Sequence, residues 1–319
     1  MEILEVKPII DRIRDNMEKV IVGKSEIIDY VLTALLSGGH VLLEDVPGTG
    51  KTMMAKSLSK SVETKFKRIQ FTPDLLPSDL IGINYYNQKE GEFVFRQGAL
   101  FTNILLADEI NRATPRTQSS LLESMEEKQI TVDGTTYKLD APFFVIATQN
   151  PVETQGTFPL PEAQLDRFIM QLSMGYTDKE ATLEILKRFV AGTPQEEIDT
   201  VCTKEELLAM QDAVKKVYIH DAVARYVIEI VEKTRTRDEV ALGVSPRGNI
   251  VFMRAAQALA AINGREYVTP DDIKALALPV LGHRIILRSN MRSRSTQIES
   301  IIQDILNSTE VPTENWKKG

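Results

Sequence analysis

The chain holds one cysteine, three histidines and no long apolar run, and each scarcity removes a class of function. With Cys202 alone, no intrachain disulfide can form, which points to a reducing compartment. Its thiol reads as a small buried apolar group rather than a reactive one. His40, His220 and His283 are scattered and lack Cys/His ligand spacing, so no zinc site is expected. No stretch approaches the roughly 18 apolar residues of a membrane span. Residues 1–20 are laced with charge, unlike a secretory leader. A soluble, cytoplasmic protein is expected. Aromatics are 6% and net charge is −7, so no global basic field recruits nucleic acid or an anionic membrane.

What is present suffices for about two domains: 319 residues, 43% of them hydrophobic. Apolar residues from Ile3 through Ile10, Ile13 and Met17 predict a helix over 3–19. A second helix is expected from Ser25, whose hydroxyl is placed to cap it, to about Ser37. Val41, Leu42 and Leu43 suit a buried parallel strand, followed by a helix from Lys51 to about Ser61 and a short strand at 66–71. The runs at 103–109 (NILLADE) and 142–150 (PFFVIATQN) predict two more buried strands, each ending in polar residues. Strands alternating with helices imply a doubly wound parallel sheet, which binds ligands beyond its carboxyl ends. Residues 83–96 and 129–139 interrupt the alternation as hairpins, turning at Glu90-Gly91 and Asp133-Gly134. Beyond Met174-Gly175-Tyr176 the periodicity is helical throughout, with no strand-like run. An α/β domain over 1–176 is therefore expected, then a smaller all-helical domain over 177–319.

The richest segment is VLLEDVPGTGKT at 41–52, a strand feeding a glycine-rich turn that opens a helix. Pro47, Gly48 and Gly50 bend the backbone, with Thr49 between the glycines, so that successive N–H groups can face an anion. Lys51 offers a point charge to β- and γ-phosphates and Thr52 a hydroxyl to Mg²⁺. Asp45 stands where the phosphate-loop pattern has its first glycine; aspartate tolerates unusual backbone angles better than most residues. The segment predicts ATP and Mg²⁺ as ligands.

Hydrolysis needs more, and four further segments supply it. Asp108, at the end of the strand, suits Mg²⁺ through water, and the adjacent Glu109 suits orientation of the attacking water. Asn150 ends the next strand with a neutral amide that can bond phosphate or water without adding repulsion. Arg167 in LDRF and Arg247 in SPRG can stabilise the charge that spreads over a transferring phosphoryl group.

This order of motifs resembles an AAA+ ATPase, and specifically the MoxR family of the helix-2-insert clade. The stretches 70–82 (QFTPDLLPSDLIG), 105–127 (LLADEINRATPRTQSSLLESMEE) and 147–168 (ATQNPVETQGTFPLPEAQLDRF) carry the match, which extends from about Val20 to about Arg288. The resemblance implies an AAA+ P-loop domain and a helical lid. Lys51 and Thr52 become Walker A, Asp108 and Glu109 Walker B, and Asn150 sensor 1. Arg167 becomes an arginine finger acting in trans and Arg247 sensor 2. Val22-Gly23 would lie against adenine, the two hairpins would be the clade's markers, and Asp45 is a common variant in the family. It further implies a ring, typically a hexamer, a partner with a von Willebrand factor A domain, and chaperone-like activation of client complexes.

Other readings are a nucleic-acid-dependent motor, a non-hydrolysing nucleotide switch and a magnesium-chelatase-like subunit. The motor is disfavoured by the acidic chain and by a hairpin at 129–139 offering only Lys138. The basic tract 283–295 reads as a solvated helical face. Glu109 with two arginines argues against a mere switch.

Overall fold

A computed structural model describes residues 1–44, 48–150, 156–191, 198–288 and 294–313. Two amphipathic helices lead in, α1 (Val6–Glu18) and α2 (Ser25–Leu36). The sheet strands and intervening helices follow as β1 (Val41–Glu44), α3 (Lys51–Ser61), β2 (Phe66–Gln70) and the short α4 (Pro77–Ile81). A hairpin, β3 (Gly82–Asn87) and β4 (Glu92–Gln97), precedes β5 (Ile104–Asp108) and α5 (Pro115–Glu127). A second hairpin, β6 (Gln129–Val132) and β7 (Thr135–Lys138), precedes β8 (Phe144–Gln149), α6 (Glu162–Leu165) and β9 (Met170–Leu172).

Among the described residues these strands make a five-stranded sheet in the order β2-β5-β8-β1-β9, with every neighbour parallel. Each central strand is apolar on both faces. Val41, Leu43, Ile104, Leu106 and Ile146 join the cluster under α1 to α3, whereas Leu42, Leu105, Ala107 and Val145 join the one under α5. Burial on both sides is the physical reason these strands read as continuous apolar runs. Register pairs Glu44 with Gln149 and Gln70 with Asp108, so the polar endings share one edge.

The hairpins pack on each other. Phe95 stacks on Tyr137 at 4.2 Å between ring centroids, and the Asn84 amide donates to Asp133 at 2.8 Å. Asp133 and Gly134 both take positive φ, as a tight two-residue turn requires.

Beyond the sheet come α7 (Lys179–Ala191), α8 (Lys204–Val214), α9 (Asp221–Arg235), β10 (Val240–Leu242), α10 (Pro246–Ile262), α11 (Pro270–Leu281), β11 (Ile286–Leu287) and α12 (Arg294–Ser308). Helix α10 packs on α2 and buries several alanines, among them Ala255, Ala256 and Ala258. No described helix is long and apolar enough to cross a membrane.

Three local expectations change. The antiparallel pair β10–β11 breaks the purely helical second half; strands of three and two residues are too short to leave a periodicity. Ser25 does not cap α2; Lys24 is its N-cap and the Ser25 hydroxyl donates to Glu18. The tract from 283 is not a solvated helical face. His283 and Arg284 are buried, Ile286 and Leu287 form a strand, and 289–293 lie outside the described residues.

Candidate functional site

Gly48 and Gly50 have φ of +88° and +94°, in the left-handed region that admits glycine freely. Gly50 is the N-cap of α3, so Lys51 and Thr52 occupy the first turn, where backbone N–H groups are unpaired within the helix. Asp45 and Pro47 lie outside the described residues.

Two cavities meet at Gly48 and Gly50. One, about 310 Å³, is walled by Val20, Ile21, Val22, Met53, Met174 and Tyr176, an apolar slot of a size for a purine. Gly23 does not line it; a Cβ there would stand 2.8 Å from the Ala181 Cβ, so this glycine lets α7 approach the wall. The other cavity, about 390 Å³, gathers Lys51, Thr52, Asp108, Glu109 and Asn150, with Thr49 bordering the apolar cavity. Gly48 through Thr52 therefore bridge an apolar slot and a polar cleft, the two halves a nucleotide needs.

Asp108 and Glu109 are sequence neighbours that would face opposite sides of an extended strand. The chain solves this at Glu109, whose φ of 55° and ψ of 51° are left-handed and bring its side chain back to the cleft. That conformation costs about 1–2 kcal/mol for a residue with a Cβ. Thr148 pins the arrangement. Its hydroxyl donates to Asp108 Oδ1 at 2.6 Å and accepts from the Glu109 N–H at 2.8 Å.

Strand β2 contributes two groups absent from the sequence reading. Arg68 donates to Asp108 Oδ2 through Nη2 at 2.6 Å and Nε at 3.2 Å, and Gln70 donates to Glu109 Oε2 at 2.6 Å. They sit two residues apart, hence on one face of the strand. Their signal was faint: alternating polar residues on a strand that pairs on one side only. Arg112, 3.0 Å from Glu109, adds a second guanidinium, so both carboxylates have cationic partners.

Among the described residues no three His, Cys, Asp or Glu side chains gather into a metal cage. The Thr52 hydroxyl and Asp108 carboxylate do line the same cleft. Such a sparse oxygen set fits Mg²⁺, which relies on water and substrate phosphates for its remaining ligands.

The two arginines lie elsewhere. Arg167 occupies the turn that enters β9 and therefore sits at the amino edge of a parallel sheet whose cleft is at the carboxyl edge. Arg247 does not line this chain's cleft either. Its Nη1 meets Glu126 Oε1 at 2.9 Å, and Arg167 Nε lies 3.4 Å from Glu126 Oε2. The cleft thus holds Lys51, Thr52, Asp108, Glu109 and Asn150, while a second cluster at the opposite edge holds both arginines.

Comparison with known proteins identifies the family. Residues 40–170 match the family described as ATPase family associated with various cellular activities (AAA), and residues 232–305 match an AAA lid domain. The uncharacterized protein YeaC of Bacillus subtilis is 50% identical over 310 residues, covering 97% of both chains. Chaperone MoxR1 of Mycobacterium tuberculosis is 38% identical, over 94% of this chain and 81% of its own. A crystal structure of an ATPase candidate from Cytophaga hutchinsonii superposes with a TM-score of 0.89 at 41% identity, covering 98% of this chain and 97% of that one.

Proposed function

Because the chain belongs to the MoxR family of AAA+ ATPases, with an α/β P-loop domain and a helical lid, we propose that it hydrolyses Mg·ATP in a head-to-tail ring and so remodels or activates a client protein complex. The observation that carries the reading is convergence: three separate chain segments bring Lys51 and Thr52, Asp108 and Glu109, and Asn150 to one cleft.

In this reading adenine occupies the apolar slot beside Val22, and the backbone N–H groups of residues 48–52 receive the phosphates. Lys51 reaches the β- and γ-phosphates. Thr52 and, through water, Asp108 hold Mg²⁺, which neutralises phosphate charge when bound. Glu109 orients the attacking water and accepts its proton as the new P–O bond forms and the bond to the β–γ bridging oxygen breaks. Asn150 fixes the water or the γ-phosphate.

Arg167 acts on a neighbouring subunit, since it faces away from its own cleft. Arg247, beside it on Glu126, joins it there rather than closing over its own nucleotide. A contact between unlike edges is heterologous, and such contacts form a ring when the rotation between neighbours closes. The hexamer, the von Willebrand factor A partner and the client rest on family analogy.

The test is Glu109→Gln. ATP binding should persist while turnover falls about 100-fold or more; undiminished turnover would refute the role. Capture with this variant and ATP should hold protein clients.

One observation favours a nucleic-acid motor: Tyr85, Tyr86 and Phe93 are exposed on the β3–β4 hairpin, and aromatic rings can stack on bases. Single-stranded DNA that leaves the ATPase rate unchanged would end that reading. A magnesium-chelatase-like role shares the hydrolysis and is separated by the captured partner.

A further inference from the structure

Glu126 is the penultimate residue of α5, and its carboxylate meets two guanidiniums from distant parts of the chain. Arg247 comes from the first turn of α10 in the lid, and Arg167 from the turn between α6 and β9. One carboxylate oxygen serves each. Arg167 approaches through Nε at 3.4 Å, and a guanidinium has further donors that can pair bidentately with phosphate.

The turn is gripped on both sides of Arg167. Arg284, from the lid, donates to Asp166 Oδ1 at 2.7 Å and to the Phe168 carbonyl at 2.7 Å. The end of α5 is held as well, because His40 Nε2 bonds the Met125 carbonyl at 3.1 Å. Glu126 thus stands on a fixed helix end and aligns two long, otherwise flexible cations.

We propose that Glu126 is a positioning residue that presents Arg167 and Arg247 together, as a paired electrophile, to the nucleotide of the neighbouring subunit. The inference rests on the trans reading of the arginines. Both side chains lose rotamer freedom before the neighbour arrives, so the phosphoryl group meets an arranged pair of charges. A single carboxylate shared by two cations leaves positive charge in excess at that point, which an incoming polyphosphate complements.

Glu126→Ala should lower kcat about ten- to hundredfold with ATP affinity unchanged, and Glu126→Asp should recover part of the loss. The decisive measurement mixes subunits. Glu126→Ala keeps an intact cleft but misplaced arginines; Lys51→Ala has a dead cleft but well-placed arginines. Mixed rings of these two should regain activity that neither has alone, and Arg167→Ala mixed with Lys51→Ala should do the same. Full turnover by Glu126→Ala overturns the proposal. So does its failure to complement while Arg167→Ala succeeds, because Glu126 would then be merely structural. Failure of Arg167→Ala itself to complement refutes the trans reading, and this proposal falls with it.

Discussion

Glu109 reaches the cleft through one left-handed backbone residue, and Thr148 holds that kink from both sides with a single hydroxyl. A comparable economy governs His40, buried just before β1. Its Nδ1 accepts from the Val145 N–H at 3.1 Å and its Nε2 donates to the Met125 carbonyl, so only the neutral ring satisfies both neighbours. Burial, the chief cause, pulls its pKa from 6.5 down to about 4. Between those values the unfolded chain binds more protons than the folded one. The stabilisation is complete above pH 6.5 and drains as pH falls toward 4, on the order of 3 kcal/mol in all. Buried His283 shifts in the same direction and adds to the loss. Urea midpoints across this window should fall less steeply for His40→Gln, which has no proton to gain; an unchanged slope would contradict the assignment.

At the scale of elements, the lid grips the α6–β9 turn through Arg284, whose side chain is only 2% exposed. Burial draws its pKa down, and Asp166 opposes that shift. Removing one partner of a buried pair leaves a charge without compensation, which typically costs about 3–5 kcal/mol. Asp166→Ala should therefore destabilise the fold by about 3 kcal/mol, read as a lower urea midpoint. It should also slow turnover, because the Arg167 turn loses its anchor. A variant as stable as the parent would show that the carbonyl bonds of Arg284 suffice. The two hairpins, joined by Phe95, Tyr137 and the Asn84–Asp133 bond, form a second composite element, one that carries Tyr86 and Phe93 to the surface, the latter 72% exposed.

The whole subunit is polar in a functional sense. Its cleft lies at the carboxyl edge of the sheet and its arginines at the amino edge. On the proposed trans reading a complete site requires two copies, and hydrolysis would follow mass action. ATPase activity per subunit should rise with protein concentration toward a plateau, in step with assembly measured by sedimentation. Specific activity that is constant across dilution into a monomeric range would refute the shared site.

The strand, glycine turn and helix at 41–61 were legible in the sequence, as were the polar strand endings at Asp108, Glu109 and Asn150. Periodicity and turn chemistry act over a few residues, and a parallel sheet brings its carboxyl ends together whatever else surrounds them. The placement of Arg247 was not legible. Its partner Glu126 lies 121 residues away and meets it only because α10 packs against α2 and carries its first turn to the amino edge. Arg284 was hidden for the same reason: a basic tract looks solvated until Asp166 is found opposite its buried guanidinium. Arg68 and Gln70 read as an ordinary strand until the register of β2 on β5 set them over the two carboxylates. The sequence alone determined which groups are available for phosphate chemistry, because those groups are encoded by local pattern. Which edge of the molecule each arginine serves was decided by tertiary packing, because ion pairs between distant segments depend on where whole helices come to rest.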